Sequence, residues 1–188
     1  TAYVNPQTLI CARLLSRKPN LKCGVNFFKE RLTTALALRE KLFDKPYYRF
    51  VFGESDGLPG LVIDRFGSVL SVQITTAGIE QRKESLIAAL VELINPAAII
   101  LKNDNSQRQL EGLSLESEIA YGQLPDTLII EENGAQFKID ILDGQKTGWF
   151  YDHRSSRALL ASIAKNQRVL DLFSYTGAWG IPAAMAGA

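Results

Sequence analysis

The sequence has little of what several protein classes depend on. Cysteine occurs only twice, as Cys11 and Cys23, and neither belongs to a Cys-x-x-Cys pair or lies near a histidine. A disulfide-rich secreted scaffold and a zinc site are therefore disfavoured, and we expect free thiols in a reducing cytoplasm and no bound metal. No apolar run approaches the ~18 residues that a membrane span requires, so we expect no membrane partner.

The chain also lacks an initiator methionine and a signal-peptide pattern, since it begins Thr1-Ala2-Tyr3-Val4. We therefore expect it to be a piece of a longer protein. Its 188 residues contain 46% hydrophobic and 22% charged residues, which are ordinary proportions for a globular chain. Disorder is disfavoured, and the length suits one ordinary domain or two small ones.

The net charge of +1 conceals an asymmetry along the chain. Residues 1–49 carry ten lysines and arginines against three acids, whereas the remainder carries eleven against seventeen. A basic end joined to a mildly acidic body suits a protein that steers a polyanion such as RNA onto one face. The candidate RNA-binding residues are Arg13, Arg17, Lys18 and Lys22. The alternative is that these charges are scattered around an exposed helix and its linker.

The first half of the sequence predicts a small α+β domain. Residues 3–15 are β-type residues broken by Asn-Pro, which predicts two short extended pieces, and helical spacing then predicts a helix over 27–43 capped by Asn26. Further strands are predicted at 47–52, 61–65, 68–75 and 98–102, with an amphipathic helix over 78–94. The resulting β-β-β-α-β unit would have one helix covering one face of a mostly antiparallel sheet.

The second half predicts a different architecture. An Asn133-Gly134 pair between residues 128–132 and 136–141 favours a tight hairpin, and a helix over 153–165 would have Asp152 as its cap. Near the end, a short apolar strand finishes at Asp171, crosses a turn containing Gly177, and enters an alanine-rich helix. This is the opening βα unit of an α/β Rossmann-like sheet, whose ligand lies at the carboxyl end of the strand.

The turn after Asp171 favours a particular class of ligand. Only Gly177-x-x-Gly180 is present where a dinucleotide fingerprint needs three spaced glycines, which disfavours a dinucleotide-dependent oxidoreductase. An acid before the turn suits a cationic ligand. S-adenosylmethionine offers an ammonium for that acid and a carboxylate for the helix N-terminus, and it has no phosphates. The alternative is that Asp171 only caps the turn of an ordinary strand.

Two motifs together resemble a known family. Residues 144–154 (GQKTGWFYDHR) and 169–177 (VLDLFSYTG) resemble the signature pair of S-adenosylmethionine-dependent 23S rRNA cytosine-5 methyltransferases. Residues 56–65 (DGLPGLVIDR) resemble the central domain of that family, and residues 2–13 resemble the end of its PUA-type RNA-binding domain. The resemblance implies three regions: a remnant of the PUA-type domain over 1–22, a linker helix and central α+β domain over 23–125, and an incomplete Rossmann-like methyltransferase domain over 126–188.

The resemblance also implies roles for individual residues. The cofactor-binding residues would be Gln145, Lys146, Thr147, Phe150, Asp152, Arg154, Asp171, Ser174, Tyr175, Thr176 and Gly177. Alternatively, Phe150 and Trp149 are core residues, Arg154 and Arg157 lie on a solvated helix face, and His153 lies on the surface. The nucleophilic cysteine of such enzymes would lie beyond residue 188, so this chain alone is expected to be inactive.

Ribosomal RNA is the implied partner, and a homodimer is a candidate assembly. Strand edges exposed by truncation would promote artificial association. A rival hypothesis is a non-catalytic RNA-binding module, which would bind RNA in a salt-sensitive manner without binding the cofactor.

Overall fold

The computed structural model describes residues 1–188, which fall into two units, Thr1–Leu124 and Pro125–Ala188. The first unit contains a five-stranded sheet with its helices, and the second contains a hairpin followed by helices and loops. No helix in the structure combines the length and the apolarity that crossing a membrane would require.

The first unit begins with a short hairpin and a long helix. Strand β1 (Ala2–Val4) pairs antiparallel with β2 (Ala12–Leu14), as the Asn-Pro break predicts. Helix α1 (Val25–Leu42) begins before the predicted start and has Gly24 at its N-cap. The predicted Asn26 cap is therefore wrong, because Asn26 already lies inside the first turn.

The central sheet of this unit is mixed. Its strands lie side by side in chain order, and only β5 and β6 run parallel. The strands are β3 (Tyr47–Phe52), β4 (Leu61–Phe66), β5 (Val69–Ile74), β6 (Ala98–Asn103) and β7 (Glu116–Gly122). Because parallel neighbours need a crossover, the chain passes through α2 (Ala77–Glu80) and α3 (Lys83–Ile94) between β5 and β6. The β-β-β-α-β order over β3 to β6 is confirmed, whereas β7 was not predicted because its residues are mostly exposed.

One face of this sheet forms the main core. Alternate residues such as Ile63, Val72 and Leu101 are fully buried there, packed in one cluster with Leu32 of α1 and Leu90 of α3. Each such side chain contributes about 1.5–3 kcal/mol through its removal from water. Two helices, which also contact each other, therefore supply this core, where the sequence predicted a single covering helix.

A buried arginine fixes the segment between β6 and β7, which was not assigned to any element by the sequence analysis. Arg108 lies in the short helix α4 (Gln107–Leu110) and is 1% exposed. Its guanidinium donates to the backbone oxygens of Ile74 and Ser114 and to the Glu80 carboxylate. Burial of this cation is compensated by these acceptors, so the segment is held against the end of β5.

The second unit opens with the predicted hairpin. Strands β8 (Leu128–Glu132) and β9 (Ala135–Ile139) pair antiparallel, and the two turn residues between them have φ of 52° and 80°. Asn and Gly tolerate this left-handed backbone, so the Asn133-Gly134 prediction is confirmed. Helix α5 (Arg154–Ile163) follows a single 3-10 turn at Tyr151–His153. The N-cap of α5 is His153, so the predicted Asp152 cap is wrong.

The predicted strand before Asp171 does not form in the structure. Residues 167–171 have no regular secondary structure, and β8 and β9 pair only with each other. A strand requires a ladder of hydrogen bonds to a neighbour, and this segment has none; Leu170 is 80% exposed. The helix after the turn, α6 (Gly180–Met185), has six residues.

Candidate functional site

A buried carboxylate organises the loop between β9 and α5. Glu132 is 4% exposed and lies at the end of β8. It accepts hydrogen bonds from the Trp149 indole at 3.0 Å, from Arg154 Nε at 3.2 Å and from Arg157 Nε at 2.6 Å. Arg157 also donates to the backbone oxygen of Phe150 at 2.8 Å. One acid therefore ties the last residues of the loop and the start of α5 to the hairpin.

Arg157 is buried, whereas one interpretation of the sequence placed it on a solvated helix face. It is 2% exposed, and its guanidinium lies 4.9 Å from the ring centroid of Trp149 and 5.9 Å from that of Trp179. Trp149 is itself 1% exposed, and its ring packs at a tilt of 41° against that of Phe137, with ring centroids 4.8 Å apart. The solvated-face interpretation of Arg157 is wrong, and Trp149 is a core residue.

The two motif loops meet through aromatic rings. Phe150 contacts Tyr175 edge to face, with ring centroids 6.4 Å apart, and stacks with His153 at 6.1 Å. His153 in turn lies 5.7 Å from the Trp179 ring. A Cβ on Gly144 would lie 2.0 Å from the Asp140 backbone oxygen and 2.9 Å from the Tyr175 hydroxyl. Only glycine fits there, because the Asp140 carbonyl of the same loop leaves no room for a Cβ, and the Tyr175 hydroxyl of the second loop lies beside it.

An ion pair lies over the Phe150 ring. The Lys146 ammonium is 4.3 Å from the ring centroid and 3.2 Å from an Asp152 carboxylate oxygen. Burial alone would raise the pKa of Asp152, but the hydrogen bond and positive charge of Lys146 outweigh it, so the pKa lies below its ordinary value of 3.8. Both side chains are about half exposed, so the pair can rearrange around a ligand at little cost.

Asp171 has a structural partner in the second loop. Its Oδ2 accepts a hydrogen bond from the Gly180 backbone N–H at 2.9 Å, which caps the start of α6. The N-terminus of α6 is therefore not open to an anionic group, contrary to the sequence expectation. This contact matches the alternative in which Asp171 caps a turn, and it leaves Oδ1 of the same carboxylate for a second donor.

The rest of the second loop has a distinctive backbone. Tyr175 has a φ of 52° and Gly177 a φ of 74°, and the Gly177 N–H donates to the Ser174 oxygen at 2.8 Å. Ser174 is exposed, whereas Thr176 Oγ1 is buried without a hydrogen-bond partner. A buried hydroxyl without a partner is unusual in a folded protein, and it marks a position where a ligand can supply the missing bond.

The remaining predicted residues of the first loop have different environments. Gln145 is exposed, and its backbone oxygen accepts from the Gly148 N–H at 2.9 Å. Thr147 is fully buried. Arg154 is held by Glu132 and lies 5.4 Å from the Tyr151 ring, so its guanidinium positions the loop.

The predicted RNA-binding residues separate into two groups, all within the first unit. Arg13 lies in β2, is 22% exposed, and pairs with Glu54 at 3.4 Å and Glu111 at 3.7 Å. Its charge is therefore largely neutralised. Arg17, Lys18 and Lys22 are exposed and form no ion pair in the structure.

A family of known proteins matches the part of the chain that contains these loops. Residues 106–188 match the family of S-adenosylmethionine-dependent methyltransferases. The methyltransferase match includes both motif loops, so the predicted cofactor class, S-adenosylmethionine, is confirmed at the level of the family. The wider similarity extends over the first unit as well.

Curated relatives named ribosomal RNA large subunit methyltransferase I are similar along the chain. The protein from Escherichia coli O139:H28 is 40% identical over 97% of this chain and 47% of its own length. The protein from Cronobacter sakazakii is 40% identical over 99% of this chain and 48% of its own. The chain therefore spans about half the length of these relatives.

Solved structures show the same fold. A proposed SAM-dependent methyltransferase from Streptococcus mutans superposes with a TM-score of 0.82 at 28% identity, over all of this chain and 49% of its own. A proposed methyltransferase complexed with SAH gives a TM-score of 0.83 at 27% identity, over all of this chain and 48% of its own. The chain has an α/β methyltransferase-like fold with a mixed central sheet, which confirms the methyltransferase-like part of the fold prediction.

Glu132 is the site residue that the sequence analysis missed. Leu128 and Ile130 alternate as buried positions along β8, and Glu132 occupies the next position on the same side. A charged residue at a core position is rare unless it is paired, so the alternation itself marked it as a residue with buried partners.

Proposed function

We propose that this chain forms the start of the cofactor site in an S-adenosylmethionine-dependent methyltransferase that modifies large-subunit ribosomal RNA. The observation that carries the proposal is the junction of the two motif loops, where Phe150 packs on Tyr175 and the Tyr175 hydroxyl lies against Gly144. The family match over 106–188 and the names of the relatives support it.

The residues present suit this cofactor. Oδ1 of Asp171 would accept from the ammonium of the cofactor, and the Lys146 ammonium is a mobile cation for its carboxylate. The unpartnered Thr176 hydroxyl offers a further hydrogen bond, and the Phe150 ring offers an aromatic edge. The bound cofactor supplies an activated methyl group, whereas these residues orient it and exclude water from one side.

The finer proposal is methylation at carbon 5 of a cytosine. This reaction needs a cysteine thiolate that adds to carbon 6 of the base. Both cysteines of the chain belong to the first unit, and neither belongs to the motif loops. We therefore propose that the nucleophile lies beyond residue 188 and that the 188-residue chain transfers no methyl group by itself.

Titration calorimetry with S-adenosylmethionine tests the cofactor site directly. We expect binding by the gene product that contains this chain, weakened about 10-fold or more in Asp171→Asn, which removes the charge opposite the ammonium. Asp126→Asn is the matched control, because Asp126 is an exposed acid of the same unit with no ion pair. Equal affinities for the two variants would contradict the assignment of Asp171.

Transfer of a labelled methyl group to 23S rRNA tests the activity. Digestion of the product to nucleosides then identifies the modified base and atom. Recovery of the label in a methylated nucleoside other than 5-methylcytidine would overturn the proposed cytosine specificity. It would leave the proposal of an S-adenosylmethionine-dependent rRNA methyltransferase in place.

A non-catalytic RNA-binding module is the second candidate, favoured by the three exposed cations Arg17, Lys18 and Lys22. It predicts that RNA affinity falls as the salt concentration rises. Each contact between a cation and a phosphate should contribute about −0.7 to −0.9 to the slope of log K against log salt concentration. Absence of any cofactor binding in the same preparation would favour this candidate over the methyltransferase.

A further inference from the structure

A cavity lies entirely within the first unit, and none of its lining residues belongs to the residues assigned to the cofactor. It has a volume of about 260 Å³, and its lining includes Arg13, Phe52, Gln73, Thr75 and Asn105. This volume is below the ~300–1,000 Å³ of sites for whole small molecules, so it suits a single planar group.

An aromatic ring forms one side of the cavity. Phe52 ends β3 and is 54% exposed, although a phenylalanine at the end of a strand is ordinarily covered. The Arg49 guanidinium lies 5.5 Å from its ring centroid, and Arg49 is itself held by Asp64 through two hydrogen bonds of 3.0 Å. The ring is thus supported by a fixed cation while half of its surface faces solvent.

The polar part of the remaining lining is nearly neutral, and Leu61 and Val62 add apolar surface. Its cation Arg13 is paired with Glu54 and Glu111, so the cavity has no free positive charge for a phosphate. Gln73, Thr75 and Asn105 supply uncharged donors and acceptors. Arg13 Nε is buried and has no hydrogen-bond partner, which leaves one donor for an acceptor atom of a ligand.

Other parts of the cavity lining are rigidly shaped. Gly60 has a φ of 81°, and a Cβ there would lie 2.2 Å from the Thr76 hydroxyl oxygen, so no other residue fits. Asp56 bonds both Arg39, at 2.6 and 2.7 Å, and the Phe52 N–H at 2.6 Å. The turn between β3 and β4 is therefore fixed to α1, and the cavity exists before any ligand binds.

We propose that this cavity binds one unstacked base of a single-stranded RNA segment, with the base stacked on Phe52 and its edge hydrogen-bonded to Gln73 and Asn105. Bases of single-stranded RNA are recognised in this way, by aromatic stacking and uncharged polar groups. The exposed cations Arg17 and Lys18 follow Arg13 closely in the chain, so phosphates of the same strand have partners in this unit. The inference rests on the proposed RNA substrate and adds a base contact outside the cofactor site.

Fluorescence anisotropy with a labelled single-stranded oligoribonucleotide of about ten nucleotides tests the inference. We expect Phe52→Leu to weaken RNA binding by about 5-fold to 100-fold, which corresponds to the loss of one stacked base. The salt dependence of binding should be unchanged in this variant, and Phe52→Tyr should restore the RNA affinity. Tyr121→Leu is the matched control, since Tyr121 is a partly exposed aromatic residue of β7 that does not line the cavity. Circular dichroism of each variant confirms that the sheet is intact.

A second pair of variants tests the hydrogen bonds. Gln73→Ala should weaken RNA binding, whereas Gln109→Ala should not, because Gln109 is exposed on α4 and does not line the cavity. Equal RNA affinities for Phe52→Leu and Tyr121→Leu would overturn the proposal. Binding of a free nucleoside monophosphate as tight as that of the oligomer would also overturn it, since the site would then belong to a free nucleotide.

Calorimetry with S-adenosylmethionine separates this inference from the proposed function. Cofactor binding together with RNA affinity that does not depend on Phe52 would show that only the base site is wrong. Phe52-dependent RNA affinity without cofactor binding would show that the methyltransferase proposal fails while the base site stands.

Discussion

Replacing Glu132 with glutamine removes the charge at the centre of the second unit without changing its shape. Three donors converge on this carboxylate, at 3.0, 3.2 and 2.6 Å, and the 2.6 Å contact comes from Arg157, which is 2% exposed. Breaking a buried ion pair from one side costs about 3–5 kcal/mol because the other charge stays buried and unpaired. The glutamine oxygen still accepts part of the network, so we expect a loss of about 3 kcal/mol.

Tryptophan fluorescence during urea unfolding measures this loss selectively. The sequence contains two tryptophans, Trp149 and Trp179, and both lie in the second unit. With a urea dependence of about 1–3 kcal/mol per molar, the midpoint should fall by ~1–3 M. Asp126→Asn provides the matched acid-to-amide change at an exposed position and should shift the unfolding free energy by less than about 0.5 kcal/mol.

A double variant identifies the cause of the loss. If the unpaired guanidinium is responsible, Glu132→Leu combined with Arg157→Met should be more stable than Glu132→Leu alone, because no charge is then left buried. The reasoning is refuted if Glu132→Gln unfolds at the same urea concentration as Asp126→Asn. It is also refuted if the loss of unfolding free energy in the double variant equals the sum of the losses in Glu132→Leu and Arg157→Met measured separately.

Three further predictions concern other parts of the structure. Gly60→Ala should destabilise the first unit more than Gly53→Ala does, as measured by unfolding followed by circular dichroism. Both glycines have a positive φ, which should cost about 1–2 kcal/mol in Gly53→Ala, but only a Cβ at Gly60 would also clash with a side chain. Asp152 should stabilise the second unit at a pH above the ordinary carboxyl pKa of 3.8, and this stabilisation should be lost as the pH falls through its lowered pKa. Because Asp152 is half exposed, Asp152→Asn should lower the free energy of unfolding at neutral pH by at most about 1 kcal/mol and should abolish this part of its pH dependence. Arg108→Met should cost about 3–5 kcal/mol by leaving the buried acceptors around it unpaired, and a change below about 1 kcal/mol would contradict its role.

Local signals in the sequence were sufficient where the physical cause was local. The Asn133-Gly134 turn forms the predicted hairpin because only a few residue types tolerate two successive positive φ values. The strands β3 to β6 also form at their runs of apolar residues, most of which are buried, and β6 is buried along its whole length. Strand β7 escaped prediction because it lies at the edge of the sheet, where its side chains are largely exposed and carry no such pattern.

Contacts between distant residues could not be predicted in the same way. Residues 167–171 have the composition of a strand, but strand formation depends on a neighbouring strand and not on the segment itself. Asp171 illustrates the corresponding difficulty at the site, because a carboxylate after an apolar segment can cap a turn or hold a cation. In the structure one of its oxygens caps α6 through Gly180. A carboxylate has two oxygens, so the bond from one oxygen to Gly180 fixes the orientation of the other. The structural role of Asp171 is therefore compatible with its proposed cofactor role, because it holds the second oxygen in a defined position.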